Sequence, residues 1–490
     1  GAAAFAVGVT DMRGKRLFAF LFAMSMLIAP QVVALAFKTL AGPASPVLKA
    51  LGLAPPPGTP NPLIGRVGVV LVLGLYHAPL VMLTLLAGLK TIPRSLVETA
   101  ELDGAMPLAV TRLVVLPLLA GHGVAAALLA FVAALGNFGI PALLGLPVNY
   151  ETLPTAIYRQ FVSFGPSAIG DAAALSVLVA LIAALAVWIA ARATRRRMAM
   201  LEREHAIHVY WRLGRARPLL EGLAVAFIAS CLLLPLASLI GSAVVSAHGV
   251  ALSLDTVTLK AFDEVLIRQQ ATREGFRTSF LLAGAAAAIL AVLAVPVSYA
   301  LERLSGRLRT AMLFFVELPY ALPGIVIAIA AILIFLRPLP LIGISLYATP
   351  FIILFAYLAR FLALAIKPVS ASLVQLDRHV EEAAALCGAG FLRRMVAIVA
   401  PLLLPALLAG GVFVFLIAFN ELTVSALLWG PGTRTLGVVL FGLEEAGLTP
   451  EASALGAATV LIVAVLMLAI DRLGRFLPPG VVPWAVEADR

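Results

Sequence analysis

Long apolar stretches separated by short polar intervals run through the whole chain. The stretches lie at about 17–40, 64–89, 117–145, 171–191, 219–245, 277–301, 310–336, 345–366, 401–429 and 452–471. Each is long enough for the roughly 30 Å hydrocarbon core of a bilayer, which takes about 18 or more apolar residues in a helix. They are unbroken runs of Ala, Leu, Val and Ile, without the period-2 alternation of barrel strands, and so predict helices. The chain reads as an all-α polytopic membrane protein of about ten full spans. Composition agrees: 62% of residues are hydrophobic and 12% charged, against about 25% charged in a soluble domain.

Residues 1–10 are apolar but too short to span, and no basic stretch precedes them, which excludes a signal peptide. Further on, Val297 to Glu302 closes a complete span just before a basic turn, Arg303 to Arg309. Residues 1–10 precede a similar turn, Arg13-Gly14-Lys15-Arg16, and therefore read as the end of a truncated first helix. The Pro- and Gly-rich segment 41–63 predicts an irregular external loop. A basic connector at 192–217, with Arg195, Arg196, Arg197, Arg203, Arg212, Arg215 and Arg217, divides a first half (1–191) from a second (218–475), and 476–490 form a tail.

One polar interval occurs twice. The loop at 91–117 contains Glu98-Thr99-Ala100, then Gly104 and Pro117; the loop at 375–401 contains Glu382-Ala383-Ala384, then Gly388 and Pro401. The Glu-to-Gly spacing is six and the Glu-to-Pro spacing nineteen in both. The repeat continues at an offset of 284: Ala142-Leu143-Leu144 matches Ala426-Leu427-Leu428, and Asn137 falls on Glu421. Glu151-Thr152-Leu153 resembles Arg434-Thr435-Leu436, and Pro30 and Pro323 occupy comparable places at an offset of 293. Two equivalent units predict a pseudo-two-fold pair with a solute path between them.

The formal charge of +10 does not indicate nucleic-acid binding, because of where the cations sit. Intervals on the side of the two repeated loops carry 24 Lys and Arg, and those on the opposite side carry 8. That bias places both loops in the cytoplasm.

Each loop predicts two short helices with Gly104 or Gly388 at the turn, where positive φ and close approach of a partner are permitted. Glu98 and Glu382 are expected near a helix start, favoured by the dipole, and Pro117 and Pro401 at the start of the next membrane helix. Leu96, Val97, Leu102, Met106 and Leu108 in one loop, and Val380, Leu386, Phe391 and Leu392 in the other, could supply apolar contacts.

These loops resemble the EAA loop, E-A-A-x3-G-x9-I-x-L-P, of ABC importer permeases, with Thr99 and Ala400 as departures from it. The whole chain resembles the fused two-half permeases of type I importers, most of all those for ferric iron. The resemblance implies that Glu98, Ala100, Gly104, Pro117, Glu382, Ala383, Ala384, Gly388 and Pro401 couple to two copies of a cytoplasmic ATPase. It also implies a periplasmic solute-binding protein, a bacterial inner-membrane location, and ATP and Mg on the partner ATPase. No cofactor is expected on this chain: it has no phosphate-binding G-x-x-x-x-G-K-[ST] segment. Thiamine, polyamine and phosphonate permeases share parts of the pattern, and an ion-coupled secondary transporter is the rival class. A membrane enzyme would need clustered acids, bases or ligands that the sequence does not show.

Ionisable groups inside spans cost at least about 2.5–3.5 kcal/mol at the bilayer centre. Glu317, Arg360, Asn420 and Glu421 stand out, with Asn137 opposite Glu421 and Tyr76 opposite Arg360 in the repeat. They either line the path or join helices, for example through Arg360 and a carboxylate. Cys231 and Cys387 have no metal or disulfide spacing. His205 and His208, near Glu202 and Glu204, read as a solvated charged face rather than a metal site.

Overall fold

The computed structural model describes residues 1–163, 165, 167–198, 211–338 and 343–473. Glu202, Glu204, His205, His208 and the tail at 476–490 lie outside the described residues. Helix α1 (Ala2–Val9) turns through Gly14 into α2 (Lys15–Leu27), which breaks and resumes as α3 (Pro30–Ala41). There follow α4 (Arg66–Leu89), α5 (Arg94–Leu102), α6 (Pro107–Leu135), α7 (Gly139–Leu144), α8 (Leu153–Val162) and α9 (Ala168–Met198). Helix α10 (Gly214–Ala243) precedes the part of the second half that repeats the first.

The second half then repeats the order. The last turns of α11 (Gln270–Arg303) correspond to α1, and α12 (Gly306–Ala321) and α13 (Gly324–Phe335) to the broken pair. After these come α14 (Pro350–Gln375), α15 (Arg378–Leu386), α16 (Phe391–Phe419), α17 (Ser425–Leu428), α18 (Leu436–Glu445) and α19 (Thr449–Leu473). Among the described residues eight helices are long and apolar enough to cross a bilayer, and the number is ten when each of two bent pairs is taken as one span.

The stretches expected as continuous spans at 17–40 and 310–336 are broken. Helices α2 and α3 meet at 101°, and α12 and α13 at 105°. At the first break Ile28 (φ −68°, ψ 140°) and Ala29 (−54°, 135°) are extended; at the second, Leu322 (−78°, 140°) and Pro323 (−53°, 138°) are. The matching positions are thus 294 apart, and Pro323 corresponds to Ala29 rather than to Pro30. Proline at either place suffices, because it lacks an N–H and forces the preceding residue out of the α region. The freed carbonyls of Met26 and Ile28 accept hydrogen bonds from the Tyr76 hydroxyl at 2.9 and 3.1 Å.

The stretches expected at 117–145 and 401–429 also differ. Their long helices stop at Leu135 and Phe419, and the chain turns through Gly136 or Asn420 before α7 or α17. Pro117 and Pro401 do not open these helices, which begin at Pro107 and Phe391. Each proline instead follows a π-turn, Thr111–Val115 or Met395–Val399, and the same device recurs at Ala229–Leu233 ahead of Pro235. The residue before each proline bonds five residues back, as Leu116 does to the Thr111 carbonyl. Such a widened turn keeps the helix continuous where a proline has removed one donor.

Each half's last helix packs on the other half's broken helix: α9 lies on α6 and α13, and α19 lies on α3 and α10. Helix α13 is largely enclosed, with Ile325 to Ile329 all buried. A helix apolar on every side belongs in the middle of a bundle. Between α14 and α16 the approach is close enough that a Cβ on Gly410 would lie 3.0 Å from Pro368 Cγ. Small residues permit such contact, and in a bilayer it is van der Waals packing, not escape from water, that it contributes.

Candidate functional site

Both repeated loops fold as a helix, a left-handed glycine and the first turn of a long helix. Gly104 and Gly388 have the same φ of +82°. Around them the amide of Ala105 donates to the Ala100 carbonyl and Gly104 to Glu101; Ala389 donates to Ala384 and Gly388 to Ala385. This is a Schellman termination, which calls for a residue without a Cβ at the left-handed position. Nothing lies within 4 Å of a Cβ built at either glycine, so backbone conformation alone, not crowding within this chain, demands them.

Glu98 and Glu382 are not at helix starts: each is the fifth residue of its nine-residue helix, beyond the reach of the dipole. Both are exposed; Glu98 pairs with Arg94, and Glu382 lies 3.4 Å from His379. The acid in the first turn of α15 is Glu381. The expected apolar contacts also divide. Val97 is buried in an apolar cluster of this chain and can touch no partner. Leu102 and Leu108, and their repeats Leu386 and Leu392, are 88%, 66%, 90% and 76% exposed. Leu96, Met106, Val380 and Phe391 are exposed as well. Each loop thus presents two leucines flanking a rigid glycine turn.

The long helices carry these loops to the centre of the molecule. At about 1.5 Å per residue, α6 with its 29 residues spans about 43 Å from the loop to Gly136. There a Cβ on Gly136 would lie 3.3 Å from Pro323 Cβ in the other half. The pseudo-symmetric contact is made by Asn420, whose backbone carbonyl accepts a hydrogen bond from Gln31 Nε2 at 3.2 Å. Gln31, missed from sequence, is 2% exposed, and its only signal was its place beside Pro30.

Asn137 and Glu421 do the same local work. Asn137 Oδ1 accepts from the Ile140 amide at 3.1 Å, and Glu421 Oε1 from the Val424 amide at 2.7 Å, each capping the short helix that follows. Glu421 Oε2 also accepts from the Ser425 amide, and Arg360 Nη1 lies 3.0 Å from Oε1. The acid and base neutralise each other, with 5% and 20% of their side chains exposed. Glu421 and Arg360 therefore come together, while the Asn420 side-chain amide donates to the Leu416 carbonyl. Glu317 does not join them and sits exposed on α12. Among the described residues no three His, Cys, Asp or Glu side chains are grouped to hold a metal.

Outside the spans, Asp11 ties the α1–α2 turn to the start of α10. Its carboxylate accepts from the Leu213 amide at 2.8 Å and pairs with Arg217, and these hold its pKa below the usual carboxylate range.

Two copies of an all-α unit, each with a broken central helix and an exposed helix–glycine–helix loop, define a polytopic transport permease built as two fused halves. The chain belongs to the family of binding-protein-dependent transport system inner membrane components, whose sequence profile matches residues 3–198 and 294–483. It is 29% identical over 202 residues to the putrescine transport system permease protein PotI of Escherichia coli, covering 41% of this chain and 71% of that protein. It is 26% identical over 387 residues to the Fe(3+)-transport system permease protein FbpB 2 of Haemophilus influenzae, covering 76% of this chain and 70% of that one. It is 24% identical over 479 residues to the probable ABC transporter permease protein y4fN of Sinorhizobium fredii, covering 96% and 82%. A solved bacterial transporter that imports the acidic polysaccharide alginate overlaps 54% of this chain and 97% of its own, with a TM-score of 0.44 and 14% identity. The chain is a transport permease of the ABC importer class, not an enzyme.

Proposed function

We propose that this permease imports a solute handed over by a periplasmic binding protein across a bacterial inner membrane, driven by two copies of a cytoplasmic ATPase docked on its two loops. The observation that carries the reading is the matched pair of loops, with Leu102 and Leu108 repeated by Leu386 and Leu392 at equal spacing around glycines of equal φ. An ATPase groove that closes on these leucines moves α6 and α16 as rigid rods. Their far ends, at Gly136 and Asn420, touch the broken helix pair of the other half, so displacement of the loops opens or shuts the path there. Glu98, Ala100, Glu382, Ala383 and Ala384 shape the docking helices in this scheme. Asn137, Asn420, Glu421 and Arg360 set the rigidity of the closure. ATP and Mg belong to the partner.

Ferric iron is the substrate we favour, because the ferric iron relative aligns across both halves whereas the putrescine relative aligns with about one. A polyamine is the second reading. Charged replacements at the exposed leucines, Leu102→Asp with Leu386→Asp, should abolish co-purification of the ATPase while the permease still inserts. Undiminished association in that variant would remove the docking assignment. Uptake of labelled ferric iron against labelled putrescine in cells with the matching binding protein decides the substrate.

A further inference from the structure

The two loops are fastened to the bundle by opposite chemistries. In the first half Val97 and Val110, 3% and 1% exposed, lie in one apolar cluster with Val9 and the partly buried Phe5. At the repeat offset of 284, Val97 corresponds to Glu381 and Val110 to Arg394; at the offset of 294 set by the bends, Phe5 corresponds to Tyr299 and Val9 to Arg303. Glu381 is buried. It accepts a hydrogen bond from the Tyr299 hydroxyl at 2.6 Å and from Arg303 Nη2 at 2.7 Å, with Arg394 Nη1 at 3.5 Å. The Arg303 guanidinium also lies 4.9 Å from the centre of the Tyr299 ring, which packs T-shaped against Phe391 at the start of α16. Four apolar side chains on one side are thus replaced, position for position, by four polar ones on the other.

We infer that Glu381 is the positioning residue of the second coupling loop, held by an ionic lock where the first loop is held by an apolar one, so that the two loops can be released independently. The inference rests on reading these loops as ATPase docking sites, but the lock itself concerns this chain alone. Loss of the carboxylate removes the acceptor that Tyr299, Arg303 and Arg394 share, and α15 loses its hold on the end of α11. The first loop shares none of these groups.

Hydrogen exchange measured on the full-length permease in lipid nanodiscs tests this without any ATPase present. In Glu381→Val, amides of 379–392 should exchange about 10-fold faster or more, in keeping with the loss of a partner from a buried charge group, and those of 95–108 should be unchanged. The fourfold variant Tyr299→Phe, Arg303→Val, Glu381→Val, Arg394→Val copies the first half and should return exchange to near the wild-type rate. Unchanged exchange in 379–392 on removal of Glu381, equal acceleration in both loops, or no recovery in the fourfold variant would each overturn the inference. Binding of the ATPase is a separate arm: one copy retained by Glu381→Val and two by the wild type supports independent release, and equal retention overturns it. If the wild type binds no ATPase, the docking reading fails while the exchange arm still decides the lock.

Discussion

Replacing the buried pair in the second half by the residues of the first tests whether the repeat is interchangeable at its centre. Glu421→Asn keeps an acceptor for the Val424 amide, as Asn137 provides for Ile140. What it removes is the negative charge that pairs with Arg360, whose side chain is only 20% exposed. Removing one member of a buried pair costs about 3–5 kcal/mol, and the residual exposure of Arg360 places the loss near 3 kcal/mol. Arg360→Tyr alone leaves Glu421 with its two backbone amides but no cation, and should cost a similar amount. The double variant recreates the Tyr76 and Asn137 arrangement, in which the tyrosine hydroxyl donates to carbonyls freed by the helix break. It should therefore lose much less than the sum, with a coupling of about 2 kcal/mol or more. Reversible unfolding in mixed micelles, followed for all four proteins, measures the cycle. Additivity within about 0.5 kcal/mol would refute the claim that the two groups act as one neutral unit.

Three further outcomes are expected. Cysteines at Gly136 and Pro323, in a background without Cys231 and Cys387, should form a disulfide under mild oxidation, since a Cβ at 136 lies 3.3 Å from that of 323 and disulfides need about 3.5–4.5 Å. Transport should stop and return with reductant; free thiols after oxidation would show that the halves do not meet there. Gly104→Ala and Gly388→Ala should each cost about 1–2 kcal/mol from the left-handed backbone alone, with no added clash, and equal losses at a thermal midpoint are the check. Asp11 is depressed when folded, so its contribution is complete above the ordinary carboxylate range and is lost as pH falls through its lowered value, below about pH 4. Exchange of the Trp211 amide, which bonds to the Val9 carbonyl, should rise there in the wild type and already be raised at neutral pH in Asp11→Asn.

The sequence by itself determined the membrane class, the duplication and the paired loops. These are properties of run length and spacing, and a helix in lipid must satisfy its backbone within itself wherever its neighbours lie. It also singled out Asn137, Glu421 and Arg360, since polar atoms in apolar runs are visible without a structure. Only tertiary packing decided that the runs at 17–40 and 310–336 bend by about a right angle, and that prolines 117 and 401 ride inside continuous helices behind π-turns. Proline signals a lost hydrogen bond but not whether the chain breaks or widens, because the answer depends on which neighbours receive the freed carbonyls. Likewise Glu381 and Val97 look unrelated in sequence. Folding brings each against the end of the helix that precedes the broken pair of its half, where one half closes the seam with hydrocarbon and the other with charge.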